Sequence, residues 1–211
     1  MRSSHEVRPR RKRADRYHHG DLRRALLQEA VRTIQAHGVE RLTLRDVGQR
    51  LGVSRSALYR HFADKGALLA SVAREGFRTL RLALLAAWQE GLQAEQGLAA
   101  MGGAYVRFAV THPSHYRVMF GGLVKGGAHD PELMQEASGA FQALVDALVT
   151  QQHAGLVRKD DPVALACFVW AAVHGVAMLT IDGQLKDWQA DLDTMIRYTN
   201  DRIRYGIAAQ D

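Results

Sequence analysis

Apolar residues recur at helical spacing along nearly the whole chain. Leu22, Leu26, Ala30 and Ile34 fall every fourth position, with Leu27 and Val31 beside them. That is one apolar face of an α-helix, and it stops at Gly38, a residue suited to the left-handed turn after a helix. Thr43 opens a short second helix: Asp46 stands three residues on, in capping-box spacing, and Gly52 closes it. Ser54 caps a third helix and Asp64 a fourth, in which Leu69, Val72, Ala73, Phe77, Leu80, Leu84 and Trp88 keep the helical period. Further helices are predicted over about 95–111, 113–122, 131–154, 162–181 and 190–208, with Pro113, Pro131 and Pro162 where a first-turn proline is tolerated. Strand-like alternation and internal repeats are absent. The pattern predicts an all-α chain of about nine helices.

Charge changes this picture because it is unevenly placed. Residues 1–65 carry 16 Lys and Arg against 7 Asp and Glu, a net +9, whereas residues 66–211 are net −3, together the chain's +6. A compact basic third on a mildly acidic body points to a polyanion; the plainer alternative is a solubilising tail. Residues 1–16, with the run Arg10-Arg11-Lys12-Arg13, hold too little apolar area to fold and are expected to be a disordered tail. No apolar secretory segment opens the chain, and the single cysteine, Cys167, cannot form an internal disulfide, both of which suit the cytoplasm.

From Val163 to Ile181 only His174 and Thr180 have polar side chains, over a length close to that of a membrane span. The flanks, however, show no Lys/Arg asymmetry, and a helix apolar all round also suits a protein core or a subunit interface. No membrane partner is expected. Cys167, inside this run, is read as a buried, inert thiol.

The most informative stretch runs from Thr43 to Lys65. It encodes two short helices joined by a tight turn at Gly52-Val53-Ser54. Leu44, Val47, Leu51, Val53, Leu58 and Phe62 are spaced to pack on each other and on the first helix, and Gly48 permits a close crossing. Arg45, Arg55, Ser56, Tyr59, Arg60 and His61 make up the remaining face. Arginine can bond guanine edges bidentately, and Ser and Tyr hydroxyls reach phosphates, so this composition suits a helix in the major groove. The alternatives are ordinary: Tyr59 packing on the first helix, His61 capping or stacking, Arg45 and Arg60 as solvated charges.

These residues resemble the helix-turn-helix of the TetR/AcrR family. The likeness runs from about Tyr17 to Leu69 and rests on His19-Gly20-Asp21-Leu22-Arg23, Thr43-Leu44-Arg45-Asp46-Val47, Leu51-Gly52-Val53-Ser54, Ala57-Leu58-Tyr59-Arg60-His61-Phe62 and Asp64-Lys65, in that order. Gly48 departs from the family's usual Ala. The resemblance implies that Thr43 and Arg45 approach the DNA backbone, that Ser54, Arg55 and Ser56 begin the recognition helix, and that Tyr59, His61 and Lys65 meet phosphates, while Arg10 to Arg16 add tail contacts. It implies three parts: a tail over 1–16, a DNA-binding domain over 17–67, and an effector-binding and dimerisation domain over 68–211.

In the body, the stretch His112 to Phe120, followed by Trp170-Ala171-Ala172-Val173-His174-Gly175, is similar to a sensor subclass named for a Trp-His-Gly signature. Trp170 and His174 lie four residues apart on one helix face. An imidazole there needs a partner: either a carbonyl or a tyrosine in the core, or a ligand. Candidate pocket residues are Trp88, Tyr105, Phe108, Met119, Phe120, Phe141, Trp170, His174 and Met178, although apolar and aromatic residues in such positions are more often plain core. The last two helices would form a homodimer, with Ala164, Ala166, Ala171, Ala172, Gly175 and Ala177 allowing close approach, and the operator would be palindromic. The function expected is a ligand-responsive repressor released by a small, mostly apolar effector. No catalytic triad, metal-ligand cluster or phosphate loop is present, so no enzyme, metal or cofactor is expected. A non-specific architectural DNA binder suits the tail but not the large apolar body.

Overall fold

The computed structural model describes residues 19–91, 96–124, 130–186 and 191–209. The basic tail lies outside these residues, as does the second half of the glycine-rich stretch after Phe120. Among the described residues the chain forms nine helices, and the only β-type pairing is an isolated bridge between Val157 and Ala208.

The first helices begin and end where local hydrogen-bonding chemistry dictates. α1 (His19–His37) stops at Gly38, whose φ of +79° favours glycine and whose amide bonds the Ile34 carbonyl at 2.9 Å. Thr43 caps α2 (Leu44–Arg50), its hydroxyl accepting from the Asp46 amide at 3.1 Å. Ser54 caps α3 (Arg55–His61) through the Ala57 amide at 3.2 Å, and Asp64 caps α4 (Lys65–Gly91) through the Ala67 amide at 2.8 Å.

The later helices are α5 (Gly97–Thr111), α6 (Pro113–Phe120), α7 (Pro131–His153), α8 (Pro162–Ile181) and α9 (Leu192–Ile207). The prolines at 113, 131 and 162 sit in first turns, and Asp130, Asp161 and Asp191 cap α7, α8 and α9.

Two cores result. The head core buries Leu26, Ala30 and Ile34 of α1 against Leu44, Val47, Leu58 and Phe62. A Cβ on Gly48 would stand 3.2 Å from a Leu58 methyl, so α2 and α3 cross closely at that glycine. The body core gathers residues of α4 to α9, among them Tyr105, Tyr116, Leu148, Val173 and Ile203. α4 serves both: Leu68, Leu69, Val72 and Ala73 belong to the head core, and Leu80 and Leu84 to the body core. α6 also straddles the join, with Val118 buried in the head core and Tyr116 in the body core. Ion pairs from Arg74 to Glu132 and from Arg81 to Glu136 (2.9 Å) tie α4 to α7.

α8 is long and apolar enough to cross a membrane by length and composition. In the fold it is two-sided. Leu165, Ala166, Val169, Val173 and Ala177 are buried, whereas Val163, Phe168 and Leu179 are exposed, Phe168 to 51%. Two sequence expectations fail on this helix. Cys167 is exposed, on the outward side of α8 beside Phe168, because an all-apolar helix gives no phase from which to read its buried side. Ala166 and Ala177 pack into their own protomer's core and are not available to a partner.

Phe62 is 2% exposed at the centre of the head core, beneath the Arg23 guanidinium 5.2 Å from its ring centroid. Phe62→Ala is expected to cost about 3–5 kcal/mol in urea unfolding followed by circular dichroism. A loss under about 1 kcal/mol, no more than a typical surface change, would refute this account of the head core.

Candidate nucleic-acid interface and ligand cavity

α2 and α3 bury one side and expose the other. Thr43, Arg45, Ser54, Arg55, Ser56 and Arg60 are exposed, Tyr59 is 45% exposed, and His61 is half-buried. The exposed set is cationic and lies on the start of α2 and along α3. The Arg55 guanidinium lies 5.5 Å from the centroid of the Tyr59 ring, a cation–π contact that steadies both side chains on the outer face. The Ser54 and Ser56 hydroxyls are 3.1 Å apart at the N-terminus of α3. Arg45, Arg55 and Arg60, with open hydroxyls between them, can bond phosphates and base edges.

Lys65 is partly engaged within the head. Its ammonium donates to the Val39 carbonyl at 2.7 Å and the Glu40 carbonyl at 3.4 Å, so two of its three hydrogens brace the loop between α1 and α2. Glu29, buried on α1, faces Arg50 at 3.5 Å and Arg32 at 3.6 Å and so links α1 to the end of α2. Together these contacts fix the angle at which α2 and α3 are presented.

A cavity of about 300 Å³ lies in the body between α4, α5, α7 and α8, with Phe120 of α6 on its wall. Of the candidate residues, Tyr105, Phe120, Phe141 and Trp170 line it. The other candidates are engaged elsewhere. Trp88 covers Gly97, where a Cβ would come 2.5 Å from its ring. Phe108 packs on His112 and Tyr116, Met119 fills the space above Gly76, and Met178 packs against the body core. Much of the wall is aliphatic, including Leu80, Leu84, Met101, Leu144, Val169 and Val173. The helical stripe of α4 points to Leu80 and Leu84, but nothing in the sequence separates wall from core.

His174 is not on the wall. Its Nδ1 lies 2.7 Å from the Tyr116 hydroxyl and 3.0 Å from the Tyr105 hydroxyl. The Tyr116 hydroxyl donates to that of Tyr105 at 3.0 Å, and the Trp170 indole N–H donates to Tyr105 at 2.9 Å. The partners that this imidazole requires are therefore tyrosines. Burial raises the Tyr105 hydroxyl to about 12, hydrogen bonds from Tyr116 and Trp170 opposing the shift, and raises Tyr116 further, so both are neutral phenols at neutral pH. Burial lowers the pKa of His174. Tyr116, half of this network's tyrosine support, escapes a reading of the sequence, although it sits in the His112–Phe120 stretch.

Residues 26–72 match the family model for bacterial regulatory proteins of the tetR family, and residues 98–203 match that for tetracyclin repressor-like C-terminal domains. The HTH-type transcriptional repressor Rv1474c of Mycobacterium tuberculosis is 27% identical over 169 residues, 77% of this chain and 83% of that protein. The HTH-type transcriptional repressor AcnR of Corynebacterium diphtheriae is 28% identical over 147 residues, 67% of this chain and 70% of its own. Among solved structures, a protein of unknown function from Rhodococcus sp. RHA1 aligns with a TM-score of 0.79 at 33% identity, covering 92% of this chain and 99% of that one.

Two half-buried imidazoles set an acid limit on stability. His115 is held below the ordinary 6.5 mainly by burial, with Glu75 opposing and His112 adding to the shift, and His174 is lowered by burial. The folded protein therefore resists protons that the unfolded chain accepts. Stability is expected to be level above pH 6.5 with respect to these groups and to fall as pH drops below it. Urea midpoints measured across that range should fall less in His115→Gln than in wild type; equal falls would refute the assignment.

Proposed function

The chain belongs to the TetR family of bacterial regulators, and from that premise we propose that it is a ligand-responsive repressor that binds a palindromic operator as a homodimer. DNA binding and transcriptional regulation come with the family; the repressor reading is supported by two curated relatives that are repressors. The observation that carries the DNA site is the exposed cationic side of α2 and α3, set out by capped helix starts. In this reading Arg55 and Ser56 meet base edges or phosphates at the start of α3. Thr43, Arg45, Ser54, Tyr59, Arg60 and His61 contact the backbone, and Lys65 adds its third hydrogen. The division of labour is a reading head over 17–67 and a sensing and pairing body over 68–211, with α4 shared between them.

The body supports the rest of the reading. Its cavity is apolar and built within one protomer, which suits a small apolar effector. α4 and α6 each place residues in both cores, so a ligand that prefers one arrangement of the cavity wall biases the angle of the head. Such coupling is typically about 1–3 kcal/mol. The outward sides of α8 and α9, with Phe168 51%, Tyr198 60% and Tyr205 70% exposed, are the proposed dimer surface. A two-fold pair would set its recognition helices one DNA turn apart, roughly 34–36 Å, or a multiple of that. A cytoplasmic setting follows from this role.

Binding to the DNA upstream of its own gene, read by fluorescence anisotropy across salt concentrations, tests the DNA site. Tyr59→Phe combined with Arg60→Ala is expected to weaken binding and to reduce the dependence of log K on log salt by about one for each cationic group withdrawn from a phosphate. Binding equal to wild type at every salt concentration would refute the assignment. For the pairing surface, sedimentation should show a dimer in wild type and a monomer in Phe168→Asp/Leu179→Asp, with weaker DNA binding in the latter. A double variant that remains dimeric would move the interface elsewhere.

A further inference from the structure

The chemistry of the cavity narrows what it can hold, given that it is the effector site proposed above. Among the described wall residues only Tyr105 and Trp170 carry side-chain oxygen or nitrogen, and none is charged. An ionised ligand seated there would lose its hydration with no counter-charge in reach, so the occupant is neutral. A dry cavity of ~150 Å³ holds benzene. At about 300 Å³ this one accommodates roughly a dozen non-hydrogen atoms.

The polar cluster at the wall sets a further condition. The Tyr105 oxygen accepts from Trp170 at 2.9 Å and from Tyr116 at 3.0 Å, which fills both of its acceptor positions. With the Tyr116 hydrogen on Tyr105, the 2.7 Å contact between His174 Nδ1 and the Tyr116 oxygen needs the ring proton on Nδ1, which donates to Tyr116. The Tyr105 hydrogen then has no acceptor inside the cluster. Of Tyr105, Tyr116 and His174, only Tyr105 lines the cavity, so its hydrogen is the one a ligand can meet.

We propose that the effector is an uncharged, largely apolar molecule with one hydrogen-bond acceptor, such as a ketone, ester or lactone oxygen, which takes the Tyr105 hydroxyl hydrogen. The acceptor is recognised by the one hydroxyl hydrogen of the cluster that faces the cavity. A ligand of the same shape without the oxygen leaves that hydrogen without a partner.

Acetophenone and α-methylstyrene have nearly the same shape, one carrying an oxygen where the other carries a methylene. Titration calorimetry on the full chain is expected to give about ten-fold tighter binding of acetophenone, the factor one net hydrogen bond supplies. In Tyr105→Phe the ratio of the two affinities is expected to fall to about one. Equal affinities in wild type, or a preference that survives Tyr105→Phe, would overturn the acceptor assignment and leave the effector cavity standing. Binding of neither compound would overturn the effector cavity itself, and this inference with it.

Discussion

A continuous α-helix cannot turn one end without turning the other, and α4 places its two ends in different cores. It runs 27 residues, about 40 Å at 1.5 Å per residue. Its first turns are buried with α1 and Phe62, and its middle turns with the cavity wall. The head is thus an extension of a body helix. α6 adds a second tie, short and two-sided, with Val118 pressed into the head and Tyr116 and Phe120 turned toward the cavity side. With two such ties, a change in the body cannot be absorbed locally, because packed cores shift between discrete arrangements more readily than they deform.

The body is otherwise an apolar bundle, which makes its buried polar cluster costly unless every hydrogen has an acceptor. Tyr105, Tyr116, Trp170 and His174 come from α5, α6 and α8 and meet around a single imidazole nitrogen and a single phenol oxygen. A bundle of Leu and Val alone would be easier to build. Three helices joined through hydrogen bonds of fixed geometry have a defined register, which greasy contacts alone do not impose.

Much of this was legible in the sequence because it is written in local chemistry. Thr43, Ser54 and Asp64 cap the helices they were expected to cap, Gly38 ends α1, and the three prolines open α6, α7 and α8. Each of these signals involves atoms within a few residues of one another. The outward set on α2 and α3 was visible for a related reason, since polar residues interrupt an apolar period. What was not legible depends on how helices are turned relative to each other. Trp88, Phe108, Met119 and Met178 sit on apolar faces just as Phe120 and Phe141 do, and only the assembled bundle separates cavity wall from filler. The exposure of Cys167 is hidden from the sequence for the same reason. Lys65 has a partner 26 residues away along the chain, which spacing does not reveal.

The two-sidedness of α8 has a bearing on how such a protein diverges. Its inward residues are committed to the bundle, but its outward row of Val163, Phe168 and Leu179 stays open to solvent in the protomer. In the pairing proposed above, exchanges along that row alter who recognises whom while sparing the fold and the pocket. A duplicated gene could therefore drift into a separate, non-mixing lineage through a few surface changes on one helix, while inheriting its chemistry of detection intact.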